Sequence, residues 1–146
     1  FHREIPHQIG VHPLVLEVLQ KLSKALSIRQ PWPQHIFHDG KDVENRSWAT
    51  DYRGDVLIHA SATFDGKAAE KRSFLIDNPH APFGAIVGIV EIIECVTDMD
   101  SDWFFGPYGF VIANKRLITP IPCKGMLGFF TPDIDFDQIR QIGDDQ

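Results

Sequence analysis

Residues Ala85–Val96, AIVGIVEIIECV, decide the fold class of this chain, because seven of the twelve are valine or isoleucine. Branched side chains of this kind suit a pleated, packed surface, so the run reads as one long strand. Gly88 within it marks a bulge or a close backbone approach. Glu91 interrupts the apolar run and is expected to face solvent, since an unpaired carboxylate against the core is costly. Further along, Phe110–Ala113, Arg116–Thr119 and Met126–Phe130 read as short strands, punctuated by Gly106-Pro107, Gly109, Pro120, Pro122 and Gly125. Upstream, Asp55–Ala60 is a strand after the Tyr52-Arg53-Gly54 turn, and Ala25–Ile28 is a short one ended by Pro31 and Pro33.

Three helices are expected. Pro13–Lys24 places Leu14, Val15, Val18, Leu19 and Leu22 on one face. Trp32, Ile36 and Phe37 share a face of a short helix that closes at Asp39-Gly40. Lys67–Ile76 offers Ala68, Ala69, Phe74 and Leu75 as inward residues before Asn78-Pro79 stops it. Helices early and closely spaced strands late predict an α+β domain, an antiparallel barrel with helices packed outside it.

The chain has 146 residues, 43% apolar and 23% charged, which is the composition of one soluble globular domain. A chain of this length buries enough surface to need no disulfide or metal staple. Cys95 and Cys123 sit in apolar surroundings without CxxC spacing, so structural zinc is not expected. No run approaches a membrane span, and a cytoplasmic protein with reduced thiols is the expectation. The start at Phe1 reads as a processed or trimmed form, so residues 1–12 carry little weight. A net charge of −6 argues against a protein that coats nucleic acid through bulk charge. The charge is uneven, however: Trp103 to Pro132 holds no acid, only Lys115, Arg116 and Lys124, which leaves room for a local basic cleft.

The densest chemistry lies in Lys41-Asp42-Val43-Glu44-Asn45-Arg46-Ser47-Trp48, two cations, two carboxylates, an amide and an indole with one aliphatic residue among them. If extended, this stretch turns Glu44 and Arg46 to one face and Val43 and Asn45 to the other. A salt-bridged surface turn would account for it. A binding site is favoured by a second polar cluster upstream, Arg29-Gln30-Pro31-Trp32, and by Arg53, His59 and Ser61 downstream.

These segments carry a resemblance. The run Leu26-Ser27-Ile28-Arg29-Gln30-Pro31-Trp32, then Gly40 to Trp48, then Tyr52-Arg53-Gly54 and Leu57-Ile58-His59-Ala60-Ser61, resembles the ASCH (activating signal cointegrator homology) domain family. Lys41, Glu44 and Arg46 fit the family's G-x-K-x-x-E-x-R pattern, with Asp39 where its glycine would stand and Gly40 next to the lysine. Trp103 to Phe110 and Pro122 to Phe130 resemble a bacterial subgroup. The likeness covers about residues 25–132, leaving 1–24 as an arm and amphipathic helix and 133–146 as an acidic C-terminal tail.

What the resemblance implies is a PUA-like β-barrel with flanking helices and a cleft, where the lysine and glutamate meet, that binds RNA or a modified nucleoside. Some members are similar to amidohydrolases that remove an acyl group from a modified cytidine with a lysine, a threonine and a glutamate. Glu44 stands three residues after Lys41 here, so that triad does not transfer whole. Other members are linked to RNA cleavage.

The leading expectation is an RNA or modified-nucleotide binder whose ligand residues are Arg29, Gln30, Trp32, Asn45, Arg46, Trp48, Arg53, His59, Ser61 and Lys124. Indoles offer stacking faces, and arginines grip phosphate or a base edge. Trp32, beside two prolines, reads equally as a core plug. The first alternative is an enzyme, a hydrolase of an N-acylated nucleoside or a ribonuclease, with Lys41 and Glu44 transferring protons. A buried Glu44 beside a Lys41 of lowered pKa would favour it. The second alternative is a protein-interaction module that docks a partner on the first helix. No cofactor and no metal is called for. Asp98-Met99-Asp100-Ser101-Asp102 mimics a calcium loop but has Trp103 and Gly109 where glycine and glutamate are needed. His2, His7 and His12, or His35 and His38, do not make a ligand set.

Overall fold

The computed structural model describes residues 24–142. The chain runs β1 (Ala25–Gln30), α1 (Trp32–His38), β2 (Val43–Arg46), β3 (Gly54–Phe64), α2 (Ala68–Asp77), β4 (Ala85–Val96), β5 (Tyr108–Pro122), β6 (Phe129–Phe130) and a 3-10 turn at Phe136–Gln138. The expected helix at residues 13–24 lies outside the described residues, save Lys24. The strands form one curled sheet in the order β2-β5-β4-β3-β1-β6, a half-barrel with two helices, as the α+β PUA-like reading requires. All its pairings are antiparallel except β1 with β3, which run parallel across α1 and β2.

Alternation along the strands divides the core in two. Leu26, Ile28, Val56, Ile58 and Ala60 face one side with Phe110 and Ile112, under Ile36 of α1. Ala25 and Leu57 face the other with Ile86, Ile89, Ile118 and Ile121. A sheet covered on both faces explains why β4 reads as continuous apolar sequence. The expected irregularity at Gly88 is present, because Ile58 pairs with Gly88 but His59 pairs with Ile86, so Val87 is the extra residue of a bulge. The bulge shifts the alternation, putting Ile86 and Ile89 in one core and Val87 and Val90 in the other. A Cβ at Gly88 would run into the Phe37 ring and the Arg116 carbonyl.

Three details differ from the sequence reading. The expected strands at 110–113 and 116–119 are one strand, β5, whose ladder with β4 shifts register three times. Asn114, at φ +50°, sits in it and donates to Glu91, which is thus partnered at the surface. In α2 only Phe74 is buried; Ala68, Ala69 and Leu75 are exposed. That helix therefore packs on the domain through one buried ring, which meets Phe64 and Phe83. Beyond β6, Ile134, Phe136 and Ile139 pack on the second core, and Gln141 bridges to Ile118. No helix among the described residues is long and apolar enough to cross a membrane.

Candidate functional site

Curling brings β2, at one end of the sheet, towards β1, next to the other end. Arg46 on β2 crosses the gap and donates from Nη2 to the Ser27 carbonyl on β1 at 2.9 Å. Beside this link lies an open cleft of about 550 Å³, walled by Ser27, Ile28 and Arg29 of β1, Trp32 of α1, Lys41, the β2 residues Glu44, Asn45 and Arg46, then Ser47 and Trp48, Asp65 and Phe105. That volume suits one small ligand or one nucleoside.

Local structure fixes each wall. Pro33 in the first turn suits the start of α1, and the Gln30 side-chain carbonyl accepts the Gln34 N–H at 3.1 Å, one of the helix's orphan donors. Trp32 is held by Nε1 donating to Asp65 at 2.8 Å. Gly40, at φ +79°, reverses the chain after α1 in a conformation that favours glycine. The next residue, Lys41, is only 2% exposed. Its ammonium donates to the Val43 carbonyl at 2.5 Å and lies 5.4 Å from the Trp32 ring centre and 5.9 Å from that of Trp103. Two indoles and a carbonyl replace part of the water this charge has lost.

Glu44 is 7% exposed, and Arg46 Nε donates to it at 3.0 Å. The extended geometry expected of 43–46 holds, with Glu44 and Arg46 paired on one side and Val43 in the core. Burial pushes the Glu44 carboxyl above its ordinary range, against the pull of Arg46 and Lys41. Burial likewise lowers the Lys41 ammonium, opposed by Glu44 and Asp42 and assisted by Lys115. Lys115 donates to the Lys41 carbonyl at 2.6 Å, and burial lowers its own pKa.

The structure thus brings together Arg29, Trp32, Lys41, Glu44, Asn45, Arg46 and Trp48. Arg29 is the exposed cation, its side chain 61% accessible and 4.0 Å from Asp65. Trp48 serves two surfaces, since its indole meets Phe110 and Phe129 edge-on as well as lining the cleft. Five expected residues lie outside the cleft wall. Gln30 spends its amide on the Pro82 carbonyl and on Gln34. Arg53 binds the carbonyls of Thr50 and Tyr52, and Ser61 meets Thr63. His59, 2% exposed, is held between the Ser27 hydroxyl and the Cys123 carbonyl, each at 2.8 Å. Lys124 is exposed in the loop that covers His59. Nor do the late cations converge as a group, because Arg116 pairs with Asp55 at 2.8 Å.

Sequence reading missed Ser27, Ile28, Ser47, Asp65 and Phe105 as wall residues. Asp65 arrives because β3 runs on to Phe64 and its next N–H meets the Gln30 carbonyl at 2.7 Å. Phe105 carried a usable signal, an aromatic cluster between Trp103 and Tyr108 with a Gly-Pro turn inside it. Among the described residues no group of three or more histidine, cysteine or acidic side chains is placed to hold a metal ion.

The model of the ASCH domain matches residues 26–115, more than half of the chain, and the match contains α1 and β2 complete and all of β1 but Ala25. The chain belongs to the ASCH domain family. This ASCH domain is similar to human (Homo sapiens) activating signal cointegrator 1, with 27% identity over 119 residues, 68% of this chain and 20% of the relative. The chain therefore spans about a fifth of the length of the curated relative it matches. Of the family-pattern residues Lys41, Glu44 and Arg46, Lys41 and Glu44 are buried in the floor of the ASCH cleft, and Arg46 lies half-buried beside them.

Proposed function

We propose that this ASCH domain binds single-stranded RNA or a modified nucleotide in the cleft between β1 and β2. One observation carries the reading: in a chain of net charge −6, the cleft gathers Arg29, Lys41 and Arg46 against Glu44 and Asp65, beside two indoles. Three cations against two carboxylates leave the cleft lining with one positive charge in excess. Stacking on Trp32 or Trp48 and a phosphate contact from Arg29 suit an unpaired nucleotide, whose base is free to leave its neighbours. Arg46 commits Nε and Nη2 to Glu44 and Ser27, and Nη1 has no partner among the described residues. A titration of a fluorescein-labelled single-stranded RNA at several salt concentrations tests this. Affinity that falls as salt rises, and falls further in Lys41→Ala, is expected; no binding at any salt overturns the reading.

A second reading has its own observation. Lys41 and Glu44 are both buried, and their pKa values move towards each other, one lowered and one raised. A narrowed gap makes proton exchange easier, as hydrolysis of an N-acylated nucleoside or of RNA would require. Mass spectrometry of N-acylated nucleosides and short RNAs after incubation with wild type and Lys41→Ala separates the two. Loss of an acyl group or chain cleavage by wild type alone supports the enzyme; intact substrates leave binding as the function.

A further inference from the structure

We infer that Phe105 is a base-stacking residue at the cleft mouth and that Asn45 is the positioning residue that presents it. This inference rests on the nucleotide-binding reading above and assigns the recognition of the base to a side chain outside the family pattern.

Phe105 lines the cleft yet is 76% exposed, a large apolar ring left in water beside a polar cavity. Its backbone is held from two directions. Asn45 on β2 donates from Nδ2 to the Trp103 carbonyl at 3.0 Å, and its Oδ1 accepts the N–H groups of Phe105 at 2.8 Å and Gly106 at 3.0 Å. Three of the four hydrogen bonds an asparagine side chain can make are thus spent on one loop. From the other side, the neighbouring Phe104 ring occupies the space over Gly109, where a Cβ would stand 2.8 Å from it. With Phe104 fixed over β5 and the next peptide fixed by Asn45, the Phe105 ring is left turned outwards. The same loop carries Trp103, whose ring centre lies 5.9 Å from the Lys41 ammonium. A stacking residue held this way loses little conformational freedom when a base arrives.

The test is an affinity series on a fluorescein-labelled single-stranded RNA with wild type, Phe105→Trp, Phe105→Leu, Phe105→Ala, Asn45→Ala and the double variant. Stacking predicts that Phe105→Trp retains affinity, while Phe105→Leu and Phe105→Ala each lose about tenfold with the salt slope unchanged. Asn45→Ala should lose a similar factor, and should add nothing in the Phe105→Ala background, because it acts through that ring. RNA binding by wild type with equal affinity in Phe105→Ala overturns the inference while leaving the binding reading intact. Retained affinity in Phe105→Leu overturns stacking in favour of general apolar contact. An undiminished Asn45→Ala effect in the Phe105→Ala background overturns the positioning role. Absence of RNA binding by wild type overturns the binding reading and this inference together. Should Asn45→Ala fail to fold, the Phe105 series decides alone, since that ring is on the surface.

Discussion

Two polar regions meet at Ser27, and they are built differently. On one side of β1 its carbonyl takes Arg46 at the cleft; on the other its hydroxyl faces the buried His59. The Cys123 carbonyl only accepts, so His59 Nε2 donates to it, and Nδ1 meets the Ser27 hydroxyl, leaving both ring nitrogens with a partner. A Cβ at Gly125 would stand 2.7 Å from both His59 and Ser27, so the covering loop leaves no room for a ligand there. The cleft is the opposite case, with an ammonium and a carboxyl desolvated and Arg29 and Phe105 still facing water. Complete internal pairing stabilises a fold; incomplete pairing around desolvated charges costs stability and suits a site that a ligand completes.

The largest expected effect breaks the comparison on its structural side. His59→Ala should cost about 3 kcal/mol of stability in chemical denaturation, from lost packing and an unpaired hydroxyl, with RNA affinity of the folded protein unchanged. An equal loss of affinity would move His59 into the ligand set. Gly125→Ala, which presses on the same pair, should cost about 1–3 kcal/mol. On the cleft side, Lys41→Met should lower RNA affinity about tenfold while leaving the melting temperature unchanged or higher, since it removes a desolvated charge. A large drop in melting temperature would make Lys41 a structural residue like His59.

Proton linkage sharpens the contrast. The Glu44 carboxyl is raised on folding, so its contribution is fully present below the ordinary carboxyl range and is lost as pH rises through its raised value. Lys41 is lowered, so the folded chain binds fewer protons there, and stability recovers as pH rises through its lowered value towards the ordinary lysine range. Glu44→Gln should remove the acidic limb of this profile in thermal melts taken from pH 4 upwards and leave the alkaline limb. A profile unchanged by the substitution would show that Glu44 is not the titrating group. The smallest effect belongs to the exposed Arg29: Arg29→Gln should reduce the salt slope of RNA binding by about 0.7 without altering stability.

How much was legible in advance follows from distance along the chain. Lys41, Glu44 and Arg46 lie within six residues, and the mixture of charges there could be read directly. The alternation of β1 and β3 and the bulge at Gly88 were equally local. His59 looked like a site residue by type and position, and the sequence held no sign that Cys123, 64 residues later, would take its second nitrogen. Asn45 was read as a ligand contact and does line the cleft, but the sequence held no sign of its partners, 58 to 61 residues away in the loop it clamps. Phe105 lay in a segment, Trp103 to Phe110, noticed only for its family resemblance and given no role.

By itself the sequence determined most of the strand segments, the helices after Pro31 and Lys67 and the residues of the cleft floor, because hydrophobic period, proline and glycine positions and charge density act over a few residues. Only the tertiary structure decided which polar groups were spent. The curl of the sheet joins β2 to β1 through Arg46, sets Trp32 and Trp103 around Lys41, seals His59 under Gly125 and leaves Phe105 outside. Those outcomes depend on which distant carbonyls and rings come within a hydrogen bond's length, and no local pattern records them.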